Sequence, residues 1–211
     1  MVHIYFKASG TDYKKIGKFL AIDSVIIYPT DTVYGVGARM ESENAIKKLY
    51  EAKSRAFTSP LIALVSSQEK VFEIARVTPA KKEPVKKLME NFWPGGLTII
   101  LKKKANVPDI MVSGGETVGV RMPNHPIALK VIEAAGGVLP TTSANISGEA
   151  TPKSYGELSQ EFKERVDVVI DDGICPIGTE STIIDMSSKK IKILRTGAIT
   201  KEQIEAVIGP F

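Results

Sequence analysis

The chain has 211 residues, 43% of them apolar, and a net charge of +4, which at about 150 residues per domain makes one to two domains with enough apolar material for a core and excludes disordered or fibrous classes. No apolar run exceeds five residues, against the roughly 20 that cross a bilayer. One cysteine, Cys175, and two histidines exclude an intrachain disulfide and a Cys/His zinc site and weaken any His-based hydrolase.

Residues 2–6 read as a strand, without the basic flank and cleavage site of a signal peptide, so a cytoplasmic protein is expected. An amphipathic helix at about 12–22 is followed by a strand from Ser24 to Tyr28 and a polar loop from Pro29 to Gly37. The apolar positions Ala45, Ile46, Leu49 and Tyr50 share one face of a helix starting at Ser42, and Lys53 and Arg55 leave its C-terminal end. Strand Leu61 to Val65 runs into a capping box expected at Ser66–Glu69, and another helix follows Thr78-Pro79. Trp93-Pro94-Gly95-Gly96 breaks the chain before strands Leu97 to Leu101 and Val118 to Met122, with Lys102-Lys103-Lys104 read as a solvated strand end. Pro126 opens a helix that Gly136-Gly137 closes, and Val138-Leu139-Pro140 enters a second polar loop, Thr141 to Gly148. Two more capping boxes, Ser154–Glu157 and Thr200–Gln203, bracket strand-like stretches at about 166–170, 181–185 and 190–195. With no repeat or linker, a single domain over 1–211 is expected. Its class is α/β, a twisted mixed β-sheet flanked by helices and not a pure Rossmann repeat.

The cations divide into 22 lysines and six arginines, so a scarce arginine marks a place where a rigid, bidentate group is useful. Pro29-Thr30-Asp31-Thr32-Val33-Tyr34-Gly35 packs hydroxyls, a carboxylate and a phenol behind a strand; it is either a loop for a polar ligand or a turn bonding its own backbone. Lys53-Ser54-Arg55, followed by Ser59, is either a phosphate site or a pair of helix-end cations. Arg121, inside the apolar stretch from Thr117 to Pro123, needs an anion, which is either a structural carboxylate or a ligand. Thr141 to Gly148, Glu180-Ser181-Thr182 and Leu194-Arg195-Thr196-Gly197 complete the set of polar turns.

Taken in order, Pro-Thr-Asp-Thr-x-Tyr-Gly, Lys-x-Arg, Val-Gly-x-Arg-x-Pro, Thr-Ser-Ala-Asn-x-Ser-Gly, Ser-Thr-Ile-x-Asp and Leu-Arg-x-Gly resemble the YrdC-like threonylcarbamoyl-AMP synthases over about residues 20–200. The resemblance implies that family's fold with a concave basic cavity. It also implies a reaction joining L-threonine, bicarbonate or CO2, and ATP into threonylcarbamoyl-adenylate and pyrophosphate, for the modified adenosine beside the anticodon of tRNA. Threonine is then expected near Thr32, Arg121, Thr141 and Ser181. ATP is expected near Lys53, Arg55, Ser59, Thr117, Ser143, Asn145, Thr151 and Arg195. Two positions depart from relatives: Ala56 stands where many have proline, and Leu64 where larger members have histidine. The additional C-terminal domain of longer members is not expected.

Such a reaction needs no protein nucleophile. The carbamate formed from threonine's amine attacks the α-phosphate in line, and the resemblance gives Lys53, Arg55, Arg195 and a Mg2+ held mainly by the ATP phosphates the task of stabilising charge. The implied partners are the small substrates, a downstream threonylcarbamoyl transferase and tRNA itself, with no membrane. The rivals are a non-catalytic RNA-binding module using the same cavity, and a carbamoyl-adenylate domain like those of hydrogenase maturation factors. The cationic motifs hold Thr, Ser, Gly and Asn in place of the interleaved aromatics that stack single-stranded bases, and the maturation factors are much longer chains.

Overall fold

The computed structural model describes residues 4–211, so the first two residues of the expected N-terminal strand lie outside the described residues. Eleven strands form one mixed sheet: β1 (Ile4–Lys7), β2 (Ile26–Tyr28), β3 (Gly35–Gly37), β4 (Ile62–Val65), β5 (Ala75–Arg76), β6 (Leu97–Lys103), β7 (Thr117–Arg121), β8 (Val138–Ser143), β9 (Val168–Asp171), β10 (Thr182–Asp185) and β11 (Lys192–Arg195). The spatial order is β1-β9-β2-β3-β8-β4-β7-β6-β10-β11, with β5 paired to β6. Pairs β1/β9, β2/β9, β4/β7 and β6/β10 are parallel, while β2/β3, β3/β8, β4/β8, β6/β7 and β10/β11 are antiparallel.

Helices α1 (Tyr13–Ala21), α2 (Glu43–Ala52), α3 (Gln68–Ile74), α4 (Lys82–Phe92), α5 (Pro126–Ala134), α6 (Gln160–Glu164) and α7 (Lys201–Ile208) cover the sheet. Buried side chains divide between two clusters, as strand alternation requires: Ile26 and Tyr28 of β2 pack with Ile16, Leu20, Ile127 and Val131 of α1 and α5, while Ile27 between them joins Ile46 and Leu49 of α2. The α/β class and the mixed sheet match the expectation from the sequence.

Differences are local. At the start of α3 the N-cap is Ser67, so Glu69 is only the second helical residue and the Ser66–Glu69 box does not form. Ser154 precedes a short 3-10 turn, and Glu157 accepts from the Lys153 amide at 2.8 Å; the next helix, α6, begins later under the Ser159 cap. The Thr200–Gln203 box is formed in full. Lys102 is exposed, but Lys103 pairs with Asp109 at 2.7 Å and Lys104 donates to the Phe72 carbonyl, so the lysine run is not simply solvated. Both polar loops are shorter than expected, because Gly35 pairs with Ser143 and Gly37 with Thr141. That pairing lays the Thr30–Tyr34 turn alongside Thr141–Ser143 and creates the setting for the site.

Candidate functional site

Because β7 runs against β6 and β10 runs with it, the end of β7 and the start of β10 meet at one edge of the sheet, and the end of β11 returns there. Arg121, Ser181 and Arg195 are thereby gathered from residues as far as 74 positions apart in sequence (195 minus 121) around a cavity of about 210 Å3. Thr30, Thr32 and Tyr34 of the β2–β3 turn, Thr141–Ser143 of β8, Arg55, Glu180 and the apolar side chains of Ile62 and Leu64 are also among its lining residues.

Arg121 forms the deep end. It is 4% exposed, and its guanidinium donates to the Gly95 carbonyl through Nε at 2.8 Å, to Thr32 Oγ1 through Nη1 at 2.8 Å, and to Asp31 Oδ1 through Nη2. Burial lowers its pKa and the Asp31 carboxylate opposes that shift. Three of five N–H groups are thus committed, and two are left without one of these partners. Thr32 is held by Thr30, whose hydroxyl donates to the Val33 carbonyl at 2.6 Å while accepting from the Thr32 and Val33 amides. The turn therefore bonds its own backbone, the second of the two alternatives left open by the sequence, and Thr32 also lines the cavity.

Thr141 donates to the Leu139 carbonyl at 2.9 Å, which makes the fully buried Tyr28 phenol the donor in the 2.7 Å Tyr28–Thr141 bond. One Thr141 lone pair is left free to face a ligand. Ser181 Oγ lies 2.8 Å from Thr98 Oγ1 and accepts from Arg195 Nη2 at 3.2 Å. Arg195 also donates to the Ser181 carbonyl at 3.0 Å and to Glu180 Oε2 at 2.9 Å. Arg55 folds back over its own loop, donating to the Ser59 carbonyl at 3.1 Å, the Pro60 carbonyl at 3.2 Å and Thr142 Oγ1 at 3.4 Å. Its pKa is lowered, with burial the leading cause.

Of the residues expected from the sequence, Thr32, Arg55, Arg121, Thr141, Ser143, Ser181 and Arg195 line the cavity. Lys53 does not. It is 1% exposed, and its ammonium is spent on the Ser143 carbonyl, the Asn145 carbonyl at 2.7 Å and Asn145 Oδ1 at 3.1 Å. Its own carbonyl accepts from the Ser147 amide at 2.9 Å, so Lys53 staples the 143–147 loop from behind. Burial depresses its pKa to about 7, with the Arg55 charge adding to the effect. Asn145 sits in that staple, and Ser59 offers its carbonyl to Arg55. Thr151 touches the rim only through Glu180, at 3.4 Å. Thr117 lies at the opposite end of β7, paired with Lys102, four residues and about 13 Å along the strand from Arg121. Glu180 stands in one of the polar motifs and Tyr28 at the end of a strand, but sequence reasoning gives neither a role at the site. A signal existed for Tyr28, since a phenol in an apolar strand requires a partner.

The fold is an α/β domain with one mixed sheet, and its cavity is lined by three arginines, one glutamate and a set of hydroxyls. Residues 18–197 match the Sua5/YciO/YrdC family, described as telomere recombination, and the chain belongs to that family. It is 41% identical over 191 residues to the threonylcarbamoyl-AMP synthase of Pyrococcus abyssi, covering 90% of this chain and 55% of that protein. It is 36% identical over 203 residues to the putative threonylcarbamoyl-AMP synthase of Methanocaldococcus jannaschii, covering 94% of each. The solved structure of P. abyssi Sua5 complexed with L-threonine superposes with a TM-score of 0.90 at 38% identity, covering 99% of this chain and 61% of that one. The chain thus spans little more than half the length of the P. abyssi protein and of the similarly named Bacillus subtilis relative.

Proposed function

We propose that this chain synthesises threonylcarbamoyl-adenylate from L-threonine, bicarbonate or CO2, and ATP, releasing pyrophosphate. The observation that carries the reading is the division of labour among three arginines at one cavity. Arg121 is buried and bonded to the Thr32 hydroxyl, while Arg55 and Arg195 are partly exposed at the mouth. About 210 Å3 is below the 300 Å3 or so at which drug-sized ligand pockets begin, so the enclosed part suits an amino acid and a nucleotide would lie across the mouth. The relatives named for this activity, and the threonine complex of one of them, support the same assignment.

The chemistry suits the side chains present. Carbamate formation and in-line attack on the α-phosphate require alignment of two bound substrates and cations over the developing charge, and Arg55 and Arg195 supply the latter. Among the described residues no cluster of three or more His, Cys, Asp or Glu forms a metal site, and Glu180 at the cavity is paired with Arg195. In this reading a Mg2+ ion would be held mainly by the ATP phosphates. The adenylate would pass to a transferase acting on tRNA. Among the described residues Tyr34 is the one aromatic lining the cavity, and it is fully buried, which favours a small ligand over stacked RNA bases.

The test is incubation with ATP, threonine and bicarbonate, followed by mass detection of the adenylate and assay of pyrophosphate. Pyrophosphate should appear only when threonine and bicarbonate are both present. Release of orthophosphate, or turnover indifferent to threonine, overturns the proposal.

A further inference from the structure

We propose that Glu180 is the ammonium site for the amino-acid substrate, and that Arg195 occupies it until the nucleotide arrives. The inference rests on the functional reading above and extends it to a residue that reading does not use. An amino acid brings one negative and one positive group. Among the described residues lining the cavity, Arg55, Arg121 and Arg195 are cations and Glu180 is the one carboxylate. Asp31 lies behind Arg121, bonded to it, and is 1% exposed. Glu180 is therefore the one full negative charge at the cavity that a substrate ammonium meets.

Its present partners are ones that can be exchanged. Oε2 holds Arg195 Nη1 at 2.9 Å, and both side chains are 38% exposed, the setting in which an ion pair contributes little. Oε1 has only the long 3.4 Å contact from Thr151. The backbone beneath is fixed: the Ala198 amide donates to the Glu180 carbonyl at 2.9 Å, and Gly197 packs directly against Glu180 and Ser181 with no room for a Cβ. Rearrangement must therefore lie in the side chains of Glu180 and Arg195.

A triphosphate at the mouth offers Arg195 several anionic oxygens in place of one carboxylate, a stronger and bidentate partner. Once Arg195 turns to phosphate, Glu180 loses its neutralising charge, and the substrate ammonium restores it. Nucleotide and amino acid then bind cooperatively through this one exchange, and by linkage each must tighten the other by the same factor.

The experiment is calorimetric titration of the full chain with L-threonine and with (R)-3-hydroxybutanoate, which keeps the carboxylate and hydroxyl but lacks the amine. Each ligand is titrated with and without a non-hydrolysable ATP analogue. With the ATP analogue present, wild-type protein should bind threonine at least about tenfold more tightly than the deaminated analogue, and without it the ratio should be smaller. In Glu180→Gln the ratio should collapse to near one, with affinity for 3-hydroxybutanoate unchanged, and in Glu180→Asp, which keeps the charge, it should partly return. A Glu180→Gln protein that still prefers threonine by the wild-type factor overturns the ammonium site while leaving the proposed function standing. Equal nucleotide enhancement of both ligands in wild type overturns the exchange with Arg195. Wild-type protein that binds no threonine under either condition overturns the proposed function, and this inference with it.

Discussion

Arg121 and Asp31 form an almost fully buried ion pair at the floor of the cavity, and the second Asp31 oxygen has no hydrogen-bond partner. The pair supplies the structural carboxylate that an arginine in an apolar strand needs, while the guanidinium also lines the cavity. Its two roles separate by mutation. In Asp31→Asn the guanidinium loses its counter-charge, and the protein should lose about 3 kcal/mol or more, since one charge of a buried pair is left alone. A substrate carboxylate on the remaining N–H groups would supply that missing charge. The rise in melting temperature caused by saturating threonine should therefore be larger in Asp31→Asn than in wild type, as a thermal melt with and without threonine will show. An equal or smaller rise would make Arg121 a structural residue only.

Replacing Arg121 with lysine keeps one charge but reaches only some of Gly95, Thr32 and Asp31, which the planar fork bonds together. Threonine affinity should fall by about 1.5–3 kcal/mol, or roughly 10- to 150-fold, with ATP affinity changed little. Calorimetric titration of the two ligands separately checks this. Unchanged threonine affinity discards the ligand role.

Lys53→Met tests the staple. The methionine fills a similar volume but leaves the Ser143 and Asn145 carbonyls and Asn145 Oδ1 without their donor, and the melting temperature should drop by an amount equivalent to about 2–4 kcal/mol. The pH dependence has a definite sign. The amine titrates near 7 when folded, against an ordinary value of 10.5, so between those values the unfolded chain binds more protons. This group therefore makes stability rise with pH from about 7 to 10.5, and its full penalty is present below 7. Denaturant unfolding at a series of pH values should show that rise in wild type and a flatter profile in Lys53→Met.

Tyr28→Phe removes one hydroxyl from a site that stays closely packed. Thr141 Oγ1 then loses its donor while keeping its bond to Leu139, and stability should fall by about 1 kcal/mol. If the orientation of Thr141 matters to threonine, KM for threonine should rise several-fold while KM for ATP is unchanged, as steady-state kinetics with each substrate varied in turn will show.

The sheet was legible wherever an apolar run stood between turn residues, as in Leu61 to Val65 and Leu97 to Leu101. β3 was not, because Gly35-Val36-Gly37 offers a single apolar side chain and its partner, Thr141 to Ser143, lies more than 100 residues away. Polar turns following strands marked most of the site. Thr117 shows where that signal ends: strand periodicity places it on β7, but which end of β7 meets the cavity depends on antiparallel pairing with β6. Lys53 is the same kind of case. Two cations within one turn suggest a phosphate site, yet only the tertiary approach of Phe162, 5.8 Å from its amine, and of the 143–147 loop turns one of them inward.

Gly197 sets the position of the mouth, and a single methyl group tests it. A Cβ there would strike the Glu180 carbonyl, the Ser181 carbonyl carbon at 2.7 Å and its oxygen at 2.8 Å, all main-chain atoms that cannot rotate away. Gly197→Ala must therefore push the start of β10 off β11, carrying Glu180 and Ser181 with it, while Arg195 is tied to both. Overpacking of this kind costs about 1–3 kcal/mol, so the protein should remain folded with a lowered melting temperature. Binding of threonine and of the ATP analogue should both fall at least about tenfold, because residues expected to meet each are displaced together. Gly10→Ala is the matching control: nothing lies within 4 Å of a Cβ at that position, so stability and both affinities should stay at wild-type values. If Gly197→Ala instead weakens one ligand and spares the other, the two substrates do not share the β10–β11 junction, and Arg195 and Ser181 act independently.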